Sequence, residues 1–317
     1  MNRELPVLSI IITYNGSAVI SKCLNALTRN IDASAIIVID NGSSDDTVRI
    51  IREDYNGVEL IRLGHNHGFG VANNIGLRVA VARNADFVFL LNQDVYVEDR
   101  TIERLLEIAH RFSDYGVLSA MHLNGKADAL DYHFSGYVAS TLISDVYLGM
   151  LKDVYPCHFI NAAAWLISGN CLRQVGGFDP LFFLYGEDND YLNRVRFHKF
   201  KIGVCPWIRI IHDRGTLHAL STYPETKKIY LNILQRLKDI NVPFHHSASN
   251  VLLGFLGEIL SSIFFLQFRK TGILLKVFAV ISTRLGKIRS ARTECKGSFA
   301  FIGHGSGILH LFNEKKW

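Results

Sequence analysis

Four short apolar runs, rich in β-branched residues, open the chain at residues 7–13 (VLSIIIT), 36–40 (IIVID), 58–63 (VELIRL) and 87–91 (FVFLL). Between them lie stretches with helical patterning, near 17–30, 43–54 and 68–84. Strands this apolar must be covered on both faces, and alternating helices achieve that when the strands run parallel. The rhythm therefore predicts an α/β fold built on a doubly wound, mostly parallel, Rossmann-like sheet. Ser43-Ser44-Asp45-Asp46 predicts a capped start for the second helix, a Ser with an acid three residues on.

From about 100 to 215 the pattern is mixed. A helix near 99–112 precedes a strand-like run at 116–121, a polar loop region at 122–156 and a strand-like run at 160–168. A helix near 188–200 then leads into a strand-like segment that ends at His212. Beyond 216 the strands stop. Ile229, Ile233, Leu237 and Ile240 have the spacing of an amphipathic helix over 224–241, and a far more apolar helix follows at 251–268. The expected division is an α/β region at 1–215 and a helical, basic extension at 216–317.

In the apolar helix, Gly254, Gly257, Glu258, Ser261 and Ser262 form a narrow small-or-polar stripe. A membrane span needs about 20 apolar residues. This stretch is shorter and carries Glu258, so it is expected to lie in a membrane interface; packing on its own domain or on a second subunit of a homodimer are the alternatives. Residues 269–296 hold eight Lys/Arg against one acid, Glu294, in a chain whose net charge is only +5. That concentration points to an anionic partner, a membrane surface or a nucleic acid. The stretch lacks the interleaved aromatics of a base-stacking platform, which argues against nucleic acid.

An apolar fraction of 49% with 20% charged residues excludes a disordered chain. Five scattered cysteines without a CxxC imply a reducing compartment and exclude a zinc module. The first residues, MNRELP, show no leader of signal-peptide type, so export is not expected.

Ligands of open parallel sheets bind beyond the carboxyl ends of the strands. Here those ends are polar: Thr13-Tyr14-Asn15, Asp40-Asn41-Gly42, Gly64-His65-Asn66 and Asn92-Gln93-Asp94. A dinucleotide site would need a glycine-rich turn after the first strand, where only Gly16 is present. Gly68-Phe69-Gly70 follows the third strand instead, with Asn73 where a third small residue belongs, and no Walker A motif occurs. A Rossmann oxidoreductase is thereby excluded.

The segments IIITYN, VIDNGSSDDT, NHGFGVANNIG, LLNQDVYVE, GGFDPLFFLYGEDNDYLNR and IIHDRG resemble, in order, the motifs of family 2 glycosyltransferases with the GT-A fold. The closest flavour is the bacterial rhamnosyltransferase-like branch. The resemblance covers roughly residues 5–215 and implies a nucleotide-sugar-binding and catalytic domain there. It implies that Asp40 meets the pyrimidine of a nucleoside-diphosphate sugar, with Thr13, Tyr14, Asn15 and Asn41 bordering the nucleoside. Asn66, Gly68 and Asn73 would line its phosphates at a helix start, where free N–H groups favour anions. Asn92 and Asp94 would face the diphosphate, Asp94 and His212 holding Mg²⁺ or Mn²⁺. Asp188 would be the catalytic base of an inverting transfer, with Glu187 assisting. Trp165, Gly169 and Asp190 would border the acceptor.

Two positions depart from the family pattern. The usual Asp-x-Asp reads Asn92-Gln93-Asp94, and Asn73 stands where many relatives carry an arginine. Competing structural readings apply to several residues. Asp45 and Asp46 fit helix N-terminal acids, His212 fits a structural histidine, Trp165 fits the core, and His65 and His67 fit loop residues. The expected protein is a metal-dependent inverting glycosyltransferase, peripheral on the inner face of the plasma membrane. It would pass a sugar, rhamnose from its thymidine-diphosphate donor foremost, to a lipid-linked glycan in cell-surface polysaccharide synthesis. The alternative is an inactive nucleotide-sugar or glycan-binding protein on the same fold.

Overall fold

β1 (Val7–Thr13), β2 (Ile36–Asp40), β3 (Glu59–Arg62) and β4 (Phe87–Asn92) run parallel in the order β3-β2-β1-β4. The computed structural model describes residues 7–215 and 223–303. Every residue of β1 and β2 is buried, as a strand covered on both faces requires. α1 (Ile20–Thr28) and α4 (Thr101–Arg111) cover one face, with Leu24 and Leu105 against Val38 and Phe89. α3 (Phe69–Ala82) and α7 (Gly169–Val175) cover the other, where Leu77 and Leu172 join Ile10, Trp165 and Phe178. Expected helix and strand positions in this half match within a few residues. The exception is the second helix: α2 (Thr47–Asp54) starts later, and no side chain caps it.

The sheet continues past β4 through β8 (Ala164–Ser168), β6 (Tyr115–Leu123), β9 (Lys201–His212) and β5 (Val95–Val97), with the two-residue β7 (Tyr155–Pro156) also on β9. β6 and β9 are parallel, whereas β8 runs antiparallel to both of its neighbours. Residues 122–156, expected as loop, include the short helices α5 (Tyr132–Ser135) and α6 (Ser140–Leu148). α8 (Glu187–Phe197) precedes β9.

The C-terminal part folds as α9 (Glu225–Lys238), α10 (Phe244–Phe264) and α11 (Phe268–Glu294). The boundary expected at 215 borders residues 216–222, which lie outside the described ones, as do residues 1–6. The single apolar helix expected at 251–268 is instead one arm and the tip of a hairpin. Of the small-or-polar stripe, Ser262 is buried together with Ser247, Val251 and Phe255, while Gly254 and Gly257 face open space. Leu234, Leu237, Phe255, Val277 and Ile281 form a core that also takes in Phe182 from the α/β half.

A buried ion network fastens the two parts. Lys238 Nζ, on α9, is 2.5 Å from Asp179, 3.9 Å from Asp190 and 3.3 Å from Cys295 Sγ. Arg292 donates to the carbonyls of Leu237, Asp239 and Val242, ending α9 as a C-terminal cation should. The chain then returns to the α/β body. Phe299 N–H donates to the Arg173 carbonyl, Gly177 N–H donates to the Ala300 carbonyl, and Ile302 enters the core beside α3 and β8.

Candidate active site

The parallel strands bring their polar ends to one rim. The buried Thr13 hydroxyl donates to Gln93 Oε1 at 2.6 Å, and the same oxygen accepts the Tyr14 N–H at 3.0 Å. Gln93 therefore ties the loop after β4 to the loop after β1. Asn15, in a left-handed conformation (φ 48°), accepts the Ser44 N–H, and its own N–H donates to Ser43 Oγ. Burial works to raise the Asp45 pKa, but hydrogen bonds from Thr47 and Ser17 outweigh it and bring it to about 2. Asp45 thus braces α2 and the first loop.

Asp40 is buried at the end of β2 and accepts the Ser43 N–H at 3.1 Å. Beside it, Asn41 donates to Asn66 Oδ1 and the Gly68 carbonyl, while Asn66 Oδ1 accepts the Gly68 N–H. Gly68 sits at φ 85°, and a Cβ there would collide with the Phe183 carbonyl oxygen. That oxygen accepts the Phe69 N–H at 3.1 Å. The start of α3, which offers N–H groups to an anion, is thereby pressed against the segment leading into α8. Asn73 lies within the helix and donates back to the Phe69 carbonyl.

Asp94 occupies the turn between β4 and β5, where its carbonyl accepts the Asp213 N–H at 2.9 Å. Pairing of β5 with β9 sets Val95 opposite His212, which puts His212 Nε2 3.6 Å from Asp94 Oδ1. Burial pushes Asp94 up to about 6, with Arg214 opposing and Asp213 and Asp131 adding to the rise. Burial, aided by the Arg214 charge, lowers His212 to about 3, so its ring is neutral. Nδ1 of His212 has no partner among the described residues, and 3.6 Å is too long for a hydrogen bond from Nε2. A buried imidazole whose Nδ1 has no partner among the described residues and whose Nε2 faces a carboxylate beyond hydrogen-bond range fits a divalent cation whose other ligands are phosphate oxygens and water. Asp179, Asp190 and Cys295 also cluster closely enough to hold an ion, but Lys238 already supplies the positive charge there.

The third part of the rim is the start of α8, which follows Tyr185 (φ 69°) and Gly186 (φ 95°). Glu187 is buried, with Oε2 unpartnered among the described residues. Burial and the neighbouring Asp188 raise Glu187 to about 8. Asp188 is more accessible. Burial raises it to about 6, against hydrogen bonding from Asn189 and the backbone at Ala162. The next residue, Ala163, accepts the Asn92 N–H at 2.9 Å. Asp188 and Asn92, two residues before Asp94, therefore flank the start of β8. Glu187 also lies within electrostatic reach of Tyr185, Tyr223 and Lys227, the last two at the entry to α9 and in its first turn.

Three expected acceptor residues sit elsewhere. Trp165 is wholly buried and stacks on Phe178 at 6.2 Å, so it is core and not a sugar platform. Gly169 donates to the Asp86 carbonyl at the opposite rim, because antiparallel β8 ends where β4 begins. Asp190 is 2.8 Å from buried Arg194 and faces Lys238, so it is a structural carboxylate. Residues not singled out from sequence complete the rim. Asp131 pairs with Arg214 at 2.7 Å and caps α5 through the Phe134 N–H. His122 Nε2 is 3.0 Å from Ser119 Oγ, and its ring stacks on Phe134. Arg214 belonged to a quoted motif; Asp131 and His122 lie in or at the edge of the stretch read as loop.

A family model described as "Glycosyl transferase family 2" matches residues 9–169. The low-salt glycan biosynthesis hexosyltransferase Agl10 of Haloferax volcanii is 25% identical over 76% of this chain and 78% of its own. The N-acetylglucosaminyl-diphospho-decaprenol L-rhamnosyltransferase of Mycobacterium tuberculosis is 28% identical over 68% of this chain and 78% of its own. Among solved structures, S. aureus TarS 1-349 in complex with UDP-GlcNAc superposes with a TM-score of 0.54 at 17% identity, covering 77% of this chain and 69% of that one. At that identity the superposition speaks for the fold alone, and the fold is that of GT-A enzymes.

Proposed function

Because the chain belongs to glycosyl transferase family 2, we propose that it transfers a sugar with inversion from a nucleoside-diphosphate donor to a hydroxyl of a lipid-linked glycan. Rhamnose from dTDP-rhamnose is the foremost donor, and cell-surface polysaccharide synthesis is the setting. The relative named for transferring rhamnose to N-acetylglucosaminyl-diphospho-decaprenol supports rhamnose as the sugar and a lipid-linked acceptor. The observation that carries the reading is the convergence at the start of β8: Asp188 beside Ala162, and Asn92, two residues before Asp94, bonded to Ala163.

The donor nucleoside lies along Thr13, Asp40 and Asn41, with its phosphates toward Asn66, Gly68 and the start of α3. Asp94 and His212 would hold Mg²⁺ or Mn²⁺, which when bound supplies Lewis-acid charge neutralisation to the departing diphosphate. Asp188, ionised at neutral pH, takes the proton of the acceptor hydroxyl. The acceptor oxygen bonds to the anomeric carbon as the bond from that carbon to phosphate oxygen breaks on the opposite face. Glu187, kept neutral by burial, leaves Asp188 as the single negative charge of the pair. The enzyme would work as a peripheral protein on the inner face of the plasma membrane, where a soluble donor meets a membrane-bound acceptor.

The test is a panel of nucleotide-sugars, scored by thermal stabilisation and by hydrolysis with and without Mn²⁺. A ligand at 100 times its Kd stabilises by about 2.7 kcal/mol, so the true donor should raise Tm visibly. If no nucleotide or nucleotide-sugar shifts Tm or is cleaved, the donor reading fails.

A further inference from the structure

The hairpin of α10 and α11 carries an apolar surface that the rest of the molecule leaves uncovered. On α10, Leu252, Leu253, Leu256, Leu260, Ile263 and Phe264 are all exposed, on the side opposite buried Val251 and Phe255. The tip continues it, with Phe264 81%, Phe265 65%, Leu266 70% and Phe268 70% exposed. Scattered exposed apolar residues are ordinary; a continuous patch marks a binding surface. α10 is long and apolar enough to cross a bilayer by length and composition, yet only 22% of its apolar window is buried, so it is not the core helix of a soluble domain.

Charge identifies the occupant. Of the basic residues at 269–296, Arg292 is turned inward onto carbonyls and Lys270 pairs with Glu258 at 2.6 Å. Arg269 and Lys276 are exposed, seven residues apart and so on one face of α11. A second copy of this chain would have to bring carboxylates to meet them, and in the exposed apolar arm itself Glu258 is the sole acid, already paired. An anionic lipid surface meets both demands, with acyl chains for the tip and headgroups for the cations.

We propose that the hairpin tip, Phe264 to Phe268, dips into one leaflet of an anionic membrane while Arg269 and Lys276 engage its phosphates. The depth follows from geometry. The exposed arm from Leu252 to Phe264 covers roughly 20 Å at about 1.5 Å per residue, short of the ~30 Å hydrocarbon core. His245, His246 and Asn250 on the earlier turns, and the cations early in α11, keep both arms from crossing. The inference rests on the membrane-bound acceptor of the proposed function for its purpose, while vesicle partition reports on the surface alone.

The experiment uses the full chain. Cosedimentation is measured with vesicles of phosphatidylcholine alone and of phosphatidylcholine with phosphatidylglycerol. The native protein should partition at least tenfold more into the anionic vesicles. Phe264→Ser/Phe265→Ser/Leu266→Ser should lose binding to both, and Arg269→Glu/Lys276→Glu should lose the anionic preference, each with Tm unchanged. In Phe265→Trp, emission should shift blue and be quenched by brominated acyl chains. Unquenched tryptophan, or equal partition of native and tip-substituted protein, would overturn the proposal. So would a concentration-dependent dimer, seen by sedimentation velocity, that the tip substitutions dissolve. Failure of nucleotide-sugar binding with intact vesicle binding would sink the transferase reading and leave this one standing.

Discussion

Lys238 Nζ lies 2.5 Å from Asp179 Oδ2, with both side chains about 1% exposed. One residue ends the helix that follows the α/β body; the other stands just before the segment leading to Glu187 and Asp188. Attraction to Asp190 and Asp179 outweighs desolvation at Lys238 and raises its pKa, whereas at Asp179 burial and the like charge of Asp190 outweigh the attraction to Lys238 and raise the carboxyl's pKa. Such a pair adds little over an apolar replacement, but breaking it is costly.

Lys238→Met should therefore destabilise the protein by about 3–5 kcal/mol, since it strands Asp179 without its cation. Lys238→Met with Asp179→Asn should recover much of that loss. Urea unfolding of the two variants decides it; equal losses would show that the ion pair is not what holds the junction.

Asp188→Asn should reduce kcat on the order of 10²–10⁴-fold while the Kd for nucleotide stays within a factor of two or three. For the native enzyme, kcat/KM should rise with pH through about 6 and then level, because the base acts only when ionised. A flat profile, or a variant with a few per cent of native turnover, would take Asp188 out of this role.

Glu187 makes stability fall with rising pH. Its pKa is raised from 4.5 to about 8 by burial and by Asp188, so the folded state holds the proton more tightly than the unfolded one. Its stabilising contribution is complete below the unfolded value and is lost as pH climbs through about 8, by no more than ~1.4 kcal/mol per pH unit. Glu187→Gln, an uncharged replacement of equal size, should flatten Tm across that window. An unchanged slope would assign it to other groups.

Mn²⁺ should bind the protein–nucleoside-diphosphate complex more tightly than the free protein, since phosphate oxygens complete a site with one carboxylate and one imidazole. Asp94→Ala and His212→Ala should each weaken Mn²⁺ binding, followed by electron paramagnetic resonance, without abolishing binding of the bare nucleoside. Identical Mn²⁺ affinity in the two variants and the native chain would remove both from the metal.

β1, β2 and β4 are legible because burial on both faces writes continuous apolar runs, and their polar ends then have to share a rim. Asp40, Asn41 and Asn66 stand at such ends, whereas Gly68 follows only from the family resemblance; Asn41, Asn66 and Gly68 are hydrogen-bonded to one another. Direction was not legible in β8: five apolar residues read alike either way along the strand. Its reversal carries Gly169 to the far rim and Trp165 into the core. Asp190 shares a motif with Asp188, yet two residues along a helix turn a side chain through about 200°, toward Arg194 and Lys238. β5, with three residues, falls below what periodicity resolves. The hairpin was hidden because apolarity reveals a buried face and an uncovered one in the same letters.

The stretch from α9 to Ile302 leaves the α/β body and comes back to it. Lys238 and Arg292 secure the outward and returning helices, and Phe299, Ala300 and Ile302 close the path on Arg173, Gly177 and the main core. The far end of the hairpin, from about 260 to 270, lies beyond the core that Phe255, Val277 and Ile281 build with α9 and Phe182, and is thus an excursion with both feet planted. Lengthening it, shortening it or splicing in a different tip would leave the catalytic rim's supports in place. On the membrane role proposed above, the tip could be exchanged as a cassette for another lipid surface, whereas a cut at 215 would sever a helix whose last residue neutralises two carboxylates of the α/β half.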